Sequence, residues 1–91
     1  MTIPGQDQAV HIETIREWLL NQVAFYLQRP VTELAGDVKL VEYGLDSVYA
    51  LTLCGDIEDE YDLEIEPTLA WDYPTVDSIA ELVHAKLAER K

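Results

Sequence analysis

Apolar residues recur at the spacing of an α-helix in three stretches of this sequence, and this periodicity limits the fold more than any other feature. The first stretch covers about residues 9–28, and Pro30 should end it because proline disfavours helical geometry in the residue before it. Its apolar positions are Ile12, Ile15, Leu19, Val23, Tyr26 and Leu27. The second stretch should run from about residue 47 to residue 61. The third should begin after Thr75, whose hydroxyl can cap the first turn.

No stretch shows a convincing strand period, and the sequence contains no internal repeat and no domain linker. One short helical turn is expected around residues 68–72. The sequence therefore predicts an all-α fold, a small four-helix bundle with three main helices and one short helix. Residues 1–91 should form a single domain with a core of about 9–89, preceded by a loose lead-in over residues 1–7.

The charge of the chain restricts its partners. Eighteen Asp and Glu against six Lys and Arg give a net charge of −12, which repels nucleic acid and anionic membrane surfaces and suits partners with basic patches. Cys54 is the single cysteine, so no internal disulfide can form. No signal peptide is recognisable, and no apolar stretch approaches the roughly 20 residues that span a bilayer. We therefore expect a cytoplasmic protein.

The residues before the second helix, Gly44-Leu-Asp-Ser47, are the main candidate for a functional site. Gly44 allows a sharp turn, and Leu45 can anchor the loop in the core. Asp46 and Ser47 then begin a helix, where free N–H groups and the helix dipole favour a bound phosphate. On these two residues alone, a simple helix N-cap is the more common explanation.

The second helix should have two different faces. Its core side is formed by Ala50, Leu53, Cys54, Ile57 and Tyr61. The opposite side is formed by Val48, Leu51, Thr52, Gly55, Glu58 and Asp59. Exposed apolar residues followed by acids are typical of a docking surface rather than of a purely solvated face.

Val-Glu-Tyr-Gly-Leu-Asp-Ser-Val, residues 41–48, resembles the attachment motif of acyl carrier proteins. Leu40 matches an apolar anchor of that family, and residues 72–76, Asp-Tyr-Pro-Thr-Val, resemble the motif that opens its last helix. The resemblance spans roughly residues 12–88. It implies that Ser47 receives 4′-phosphopantetheine from coenzyme A, and that the thiol of this arm holds acyl groups as thioesters. It further implies that Asp46 helps the modifying transferase to recognise the site.

The resemblance also implies partners and a subtype. The partners would be a phosphopantetheinyl transferase, an acyl-loading enzyme (an acyltransferase or an acyl-adenylating ligase), and a ketosynthase or other chain-processing enzymes. Asp46 favours an acyl over a peptidyl carrier, and residues 71–75, Trp-Asp-Tyr-Pro-Thr, favour a polyketide-type system. Val48 and Gly55 depart from residues common in relatives, which bears on partner identity. We expect a discrete, monomeric protein that catalyses nothing itself.

The sequence leaves some functions other than an acyl carrier open and disfavours others. A peptidyl carrier and an unmodified acidic protein-binding module both stay open. A serine hydrolase is disfavoured because Ser47 lacks the Gly-x-Ser-x-Gly context and a preceding strand. Calcium binding by alternating acids is disfavoured because Tyr61 stands where such a loop needs glycine. We therefore assign no catalytic residue and no metal ligand.

Overall fold

The computed structural model describes residues 11–90, and its main helices lie where the apolar periodicity predicts them. The helices are α1 (Ile12–Leu27), α2 (Ser47–Tyr61), α3 (Leu69–Asp72) and α4 (Val76–Arg90), with two single 3₁₀ turns at Val31–Glu33 and Leu40–Tyr43. Within this part of the chain there is no strand, and one isolated bridge joins Lys39 to Thr75. The four-helix prediction is confirmed. The lead-in and the first two residues of the predicted helix 9–28 lie outside the described residues.

The first helix ends where the sequence predicts. Gln28 adopts a left-handed conformation with φ of 57°, and Pro30 follows two residues later. The N–H of Arg29 donates to the carbonyl of Ala24 at 3.0 Å, which satisfies one of the carbonyls left open at a helix C-terminus.

The core is one apolar cluster to which α1, α2 and α4 each contribute a stripe. It contains no buried polar or charged residue among those described. Its largest fully buried side chains are Tyr49, Ile15, Leu19, Leu40, Leu53, Ile57, Ile79, Val23, Val76 and Val83. Burial of each such aliphatic side chain contributes about 1.5–3 kcal/mol, so the three stripes dominate the stability of the domain.

The long connection between α1 and α2 is fixed to the core at two leucines. Leu40 and Leu45 are both buried, and the N–H of Leu45 donates to the carbonyl of Leu40 at 3.2 Å. The N–H of Leu40 donates to the carbonyl of Pro74 at 2.8 Å, which ties the connection to the start of α4. The expected anchoring of the loop by Leu45 is confirmed, and Leu40 anchors it as well.

The start of α4 is capped reciprocally by Thr75 and Ser78. The N–H of Ser78 donates to Oγ1 of Thr75 at 3.1 Å, and the N–H of Thr75 donates to Oγ of Ser78 at 3.1 Å. The predicted capping role of Thr75 is thereby confirmed. Such a cap contributes about 1 kcal/mol.

Gly36 allows three elements to meet closely. Nε of Arg16 in α1 donates to Oδ1 of Asp77 in α4 at 2.6 Å, and the N–H of Asp77 donates to the carbonyl of Gly36 at 2.9 Å. A Cβ atom on Gly36 would overlap with both side chains of this ion pair. An alanine at this position therefore requires the Arg16–Asp77 pair to shift.

A matched pair of glycine substitutions tests this packing. Gly36→Ala should lower the free energy of unfolding by roughly 1 kcal/mol, because the Arg16–Asp77 pair has to shift. Gly55→Ala should raise it by about 1 kcal/mol, because Gly55 lies inside α2 and a Cβ there meets nothing within 4 Å. Urea denaturation measures both. A Gly36→Ala protein as stable as the wild type would show that the close approach is not required.

Candidate functional site

A glycine turn places the start of α2 at the surface. Gly44 has φ of 97°, a left-handed conformation that side-chain-bearing residues rarely adopt, and its N–H donates to the carbonyl of Val41 at 3.1 Å. The buried Leu45 follows and anchors the turn from below. The chain thus enters α2 with Asp46 and Ser47 exposed and with a fixed backbone direction.

Asp46 is the N-cap of α2. Its backbone is extended, with φ of −111° and ψ of 175°, and its Oδ1 accepts the N–H of Tyr49 at 2.7 Å. Its carbonyl accepts the N–H of Ala50 at 2.9 Å, which is the first hydrogen bond of the helix ladder. The helix N-cap role that the sequence allows for Asp46 is thereby confirmed, and Ser47 is the first helical residue.

The two serines of the chain have different surroundings. Ser78 uses its hydroxyl in the cap of α4, where Oγ donates to the carbonyl of Thr75 at 2.9 Å. Ser47 is exposed at the beginning of a helix of 15 residues. Since Asp46 satisfies only one of the N–H groups of the first turn, the others can face an anion attached at Ser47. An exposed hydroxyl beside a positive helix end fits a phosphodiester.

The predicted outer face of α2 is divided between docking candidates and structural contacts. Val48 and Leu51 are 67% and 57% exposed, and Asp59 is exposed as well. Thr52 is exposed, and its hydroxyl donates to the carbonyl of Val48 at 3.0 Å.

Gly55 and Glu58 differ from the other members of this face. Gly55 is half-buried and leaves open space above the helix backbone. Glu58 is half-buried, and its Oε2 accepts the N–H of Ile65 at 2.9 Å, which fixes the segment that follows α2. Glu58 therefore has a structural contact within the chain, whereas Asp59 is directed to solvent.

The core side of α2 is largely as predicted. Ala50, Leu53, Cys54 and Ile57 are buried, and Tyr61 is half-buried with its ring edge against Trp18 at a centroid distance of 5.4 Å. Sγ of Cys54 donates to the carbonyl of Glu66 at 3.5 Å, and burial raises the pKa of this thiol. Cys54 is a small buried apolar residue, as expected.

Sequence reasoning missed Tyr49. Its ring is buried and stacks on that of Tyr26, with centroids 3.7 Å apart and planes 13° apart. Its hydroxyl has no hydrogen-bond partner among the described residues, and burial followed by the charge of Asp56 raises the pKa of its phenol. The burial of Tyr49 could have been predicted from its position one helical turn before Leu53, which puts it at the edge of the core side of α2.

The part of the chain that the structure describes contains no cluster of three or more His, Cys, Asp or Glu placed to hold a metal ion. No helix in this part has both the length and the apolar composition needed to cross a bilayer.

Comparison with known proteins identifies the family. The family model described as "Phosphopantetheine attachment site" matches residues 17–83, which contain the Gly44 turn, all of α2 and the first half of α4. The chain belongs to this family. It is a carrier protein of the class that holds 4′-phosphopantetheine covalently, and the predicted class and cofactor are confirmed.

Individual relatives are carrier domains and carrier proteins. The chain is 30% identical over 83 residues, 91% of its length, to polyketide synthase PksL of Bacillus subtilis, of which it covers 2%. The solution structure of the acyl carrier protein LipD of Actinoplanes friuliensis is similar with a TM-score of 0.73 and 39% identity, covering 87% of this chain and 88% of LipD. The crystal structure of a free-standing peptidyl carrier protein of Acinetobacter baumannii is similar with a TM-score of 0.75 and 35% identity, covering 88% of this chain and 96% of that one. The chain spans 2% to 8% of the length of the curated synthases that it matches.

Two substitutions of Asp46 separate its capping hydrogen bond from its charge. Asp46→Ala should lower the free energy of unfolding by about 1 kcal/mol because the N–H of Tyr49 loses its acceptor, whereas Asp46→Asn should cost no more than a few tenths. Chemical denaturation measures both. Equal losses in the two variants would mean that the charge, and not the cap, stabilises the start of α2.

Proposed function

We propose that this chain is an acyl carrier protein of polyketide type in which Ser47 bears the phosphopantetheine arm. The observation that supports this most strongly is the exposed Ser47 hydroxyl at the first position of α2, inside the segment that matches the family. Ser78, the other serine, has its hydroxyl engaged in the cap of α4. Ser47 is therefore the serine that a transferase can reach.

The residues around Ser47 hold its hydroxyl in place for the transferase. Gly44 and Leu45 set the direction in which the chain enters α2, and Asp46 keeps the first turn closed through its bond to Tyr49. The N–H groups of that turn then stabilise the negative charge of the phosphodiester. Once bound, the cofactor supplies a thiol that holds an acyl group as a thioester, so the chain delivers substrate and does not catalyse.

The charge of Asp46 has a second proposed role in recognition by the transferase. Its Oδ1 accepts the capping hydrogen bond, but the residue is exposed, so its negative charge can interact with the transferase. Asp46→Asn keeps the acceptor and removes the charge. A lower rate of modification in a variant of wild-type stability would support this role.

The partners proposed are those of polyketide assembly: a phosphopantetheinyl transferase, an acyl-loading enzyme and a ketosynthase or another chain-processing enzyme. Val48 and Leu51 offer an apolar contact beside Ser47, and Asp59 offers a charge for a basic patch. Thr52 and Gly55 complete the proposed docking face. Glu58 lies at its edge, because its carboxylate is half-buried and bonded to Ile65. Because the arm tethers the substrate, a weak and quickly released contact is sufficient.

The polyketide subtype is supported by the similarity to PksL and by Asp46 before the serine. The second candidate function, a peptidyl carrier, is supported by the similarity to the free-standing carrier of A. baumannii. The two functions differ in the group that is loaded onto the thiol. A peptidyl carrier takes an aminoacyl group from an aminoacyl adenylate, whereas a polyketide carrier takes an acyl group that has no amino group. The monomeric state and the cytoplasmic location stay predictions.

Intact mass spectrometry tests the attachment site. Apo-protein incubated with coenzyme A and a broad-specificity phosphopantetheinyl transferase should gain one phosphopantetheinyl group. Ser47→Ala should gain none, and Ser78→Ala should gain one because Ser78 only caps α4. A folded wild type that stays unmodified across several transferases would contradict the carrier function and favour an unmodified protein-binding module.

Thiol reactivity gives a second readout of the same event. Burial raises the pKa of Cys54, so little of it is thiolate at pH 8, and its side chain is also shielded from reagents. The folded apo-protein should react slowly with a disulfide reagent, and the modified protein should gain one rapidly reacting thiol per chain. Cys54→Ala should remove the slow phase and leave the fast one. A fast phase in the apo-protein would mean that Cys54 is accessible.

A further inference from the structure

Contacts between α1 and α2 fix which ends of these helices lie together. Trp18 contacts Tyr61, Nε2 of Gln22 donates to Oδ2 of Asp56 at 3.2 Å, and Tyr26 stacks on Tyr49. Residue numbers rise along α1 as they fall along α2, so the two helices are antiparallel. The C-terminal end of α1 therefore lies beside the N-terminal end of α2, where Ser47 begins the helix.

Two large aromatic side chains stand at this end of α1. Phe25 is 85% exposed, the most exposed of the large hydrophobic side chains described, and Tyr26 is 41% exposed although it stacks on Tyr49. Phe25 is one turn after Gln22 and two turns after Trp18, and both of these residues contact α2. This spacing puts Phe25 on the flank of α1 that borders α2.

Exposed apolar side chains at this end of the molecule thus lie on α1 as well as on α2. Val48 and Leu51 are exposed in the first turns of α2, and Phe25 and Tyr26 are exposed in the last turn of α1. Ile12, which is exposed on the same helix, lies at the opposite end, beside the C-terminal end of α2. A solvated helix end gains nothing from an exposed phenylalanine, whereas the centre of a protein interface is enriched in aromatic residues.

The chemistry at Ser47 indicates which partner has to cover this surface. An enzyme that acts on the thiol can reach it through the arm and can dock to one side. The transferase has to bring its own active site to the Ser47 hydroxyl, so its footprint is centred on that residue. A standard interface covers about 800 Å² per partner, roughly 30 Å across, which exceeds the two shorter dimensions of the molecule, 27 Å and 19 Å. Such a footprint includes the end of α1.

We propose that Phe25 is a docking residue for the phosphopantetheinyl transferase, which receives it in an apolar pocket beside the contact to Val48 and Leu51. This inference rests on the proposed function of Ser47 and adds a second helix to the surface that is recognised. Phe25 takes no part in the phosphoryl transfer and acts on binding only.

Steady-state kinetics of a broad-specificity transferase with coenzyme A test this proposal. Phe25→Ser should raise KM for the apo-protein at least about fivefold with kcat nearly unchanged, as expected for the loss of an aromatic contact in an interface. Phe25→Leu should recover most of the loss. Ile12→Ser, a control at the opposite end of the same helix, should keep the wild-type KM. Thermal unfolding should be the same for wild type and Phe25→Ser, which separates a docking effect from misfolding.

A direct binding measurement removes the chemistry from the comparison. Ser47→Ala cannot be modified, so calorimetry with this variant reports docking alone, and adding Phe25→Ser should weaken binding by the same factor as the change in KM. A Phe25→Ser protein with wild-type KM would overturn the proposal. Sedimentation could also overturn it. If the wild type self-associates, Phe25→Ser does not, and KM is unchanged, then the partner that covers Phe25 is a second copy of this chain. If the wild type itself is never modified, the proposed function of Ser47 fails first.

Discussion

The anchoring of the connection before α2 is the constraint on which the site depends. Leu40 and Leu45 are buried at the two ends of a turn that Gly44 closes in a left-handed conformation, and Leu40 is hydrogen-bonded to the start of α4. Without this anchoring, a connection of such length would be free to move, and the hydroxyl of Ser47 would have no fixed position. The same turn leaves Asp46 to cap α2, so one local arrangement both exposes the serine and stabilises the helix that presents it.

Helix α2 has a different role on each side. Its inner side belongs to the core through Leu53 and Ile57, and its outer side combines apolar contacts near Ser47 with the charge of Asp59. Not every acidic side chain is available to partners, because the carboxylate of Glu58 accepts the N–H of Ile65. The net charge of −12 therefore supports a preference for basic partners, while the local surface around Ser47 is apolar.

Much of this structure follows from the sequence because local signals and burial agree. The bounds of α2 at residues 47 and 61, the end of α1 near Pro30 and the cap at Thr75 were all predictable from periodicity and capping chemistry. The bond of Glu58 to Ile65 and the stack of Tyr49 on Tyr26 were not predictable, because both depend on how separate elements pack. The same holds for the pairing of the C-terminal end of α1 with the N-terminal end of α2, since helix periodicity does not tell which helix ends lie together.

Peptide mass spectrometry of the protein isolated from the cells that make it shows directly whether Ser47 carries the cofactor. The tryptic segment between Lys39 and Lys86 contains both serines, so fragmentation within it can assign a modification to Ser47 or to Ser78. We expect phosphopantetheine on Ser47, with acyl groups that hydroxylamine removes because they are thioesters. A population in which Ser47 is unmodified throughout, or in which the group is on Ser78, would contradict this expectation.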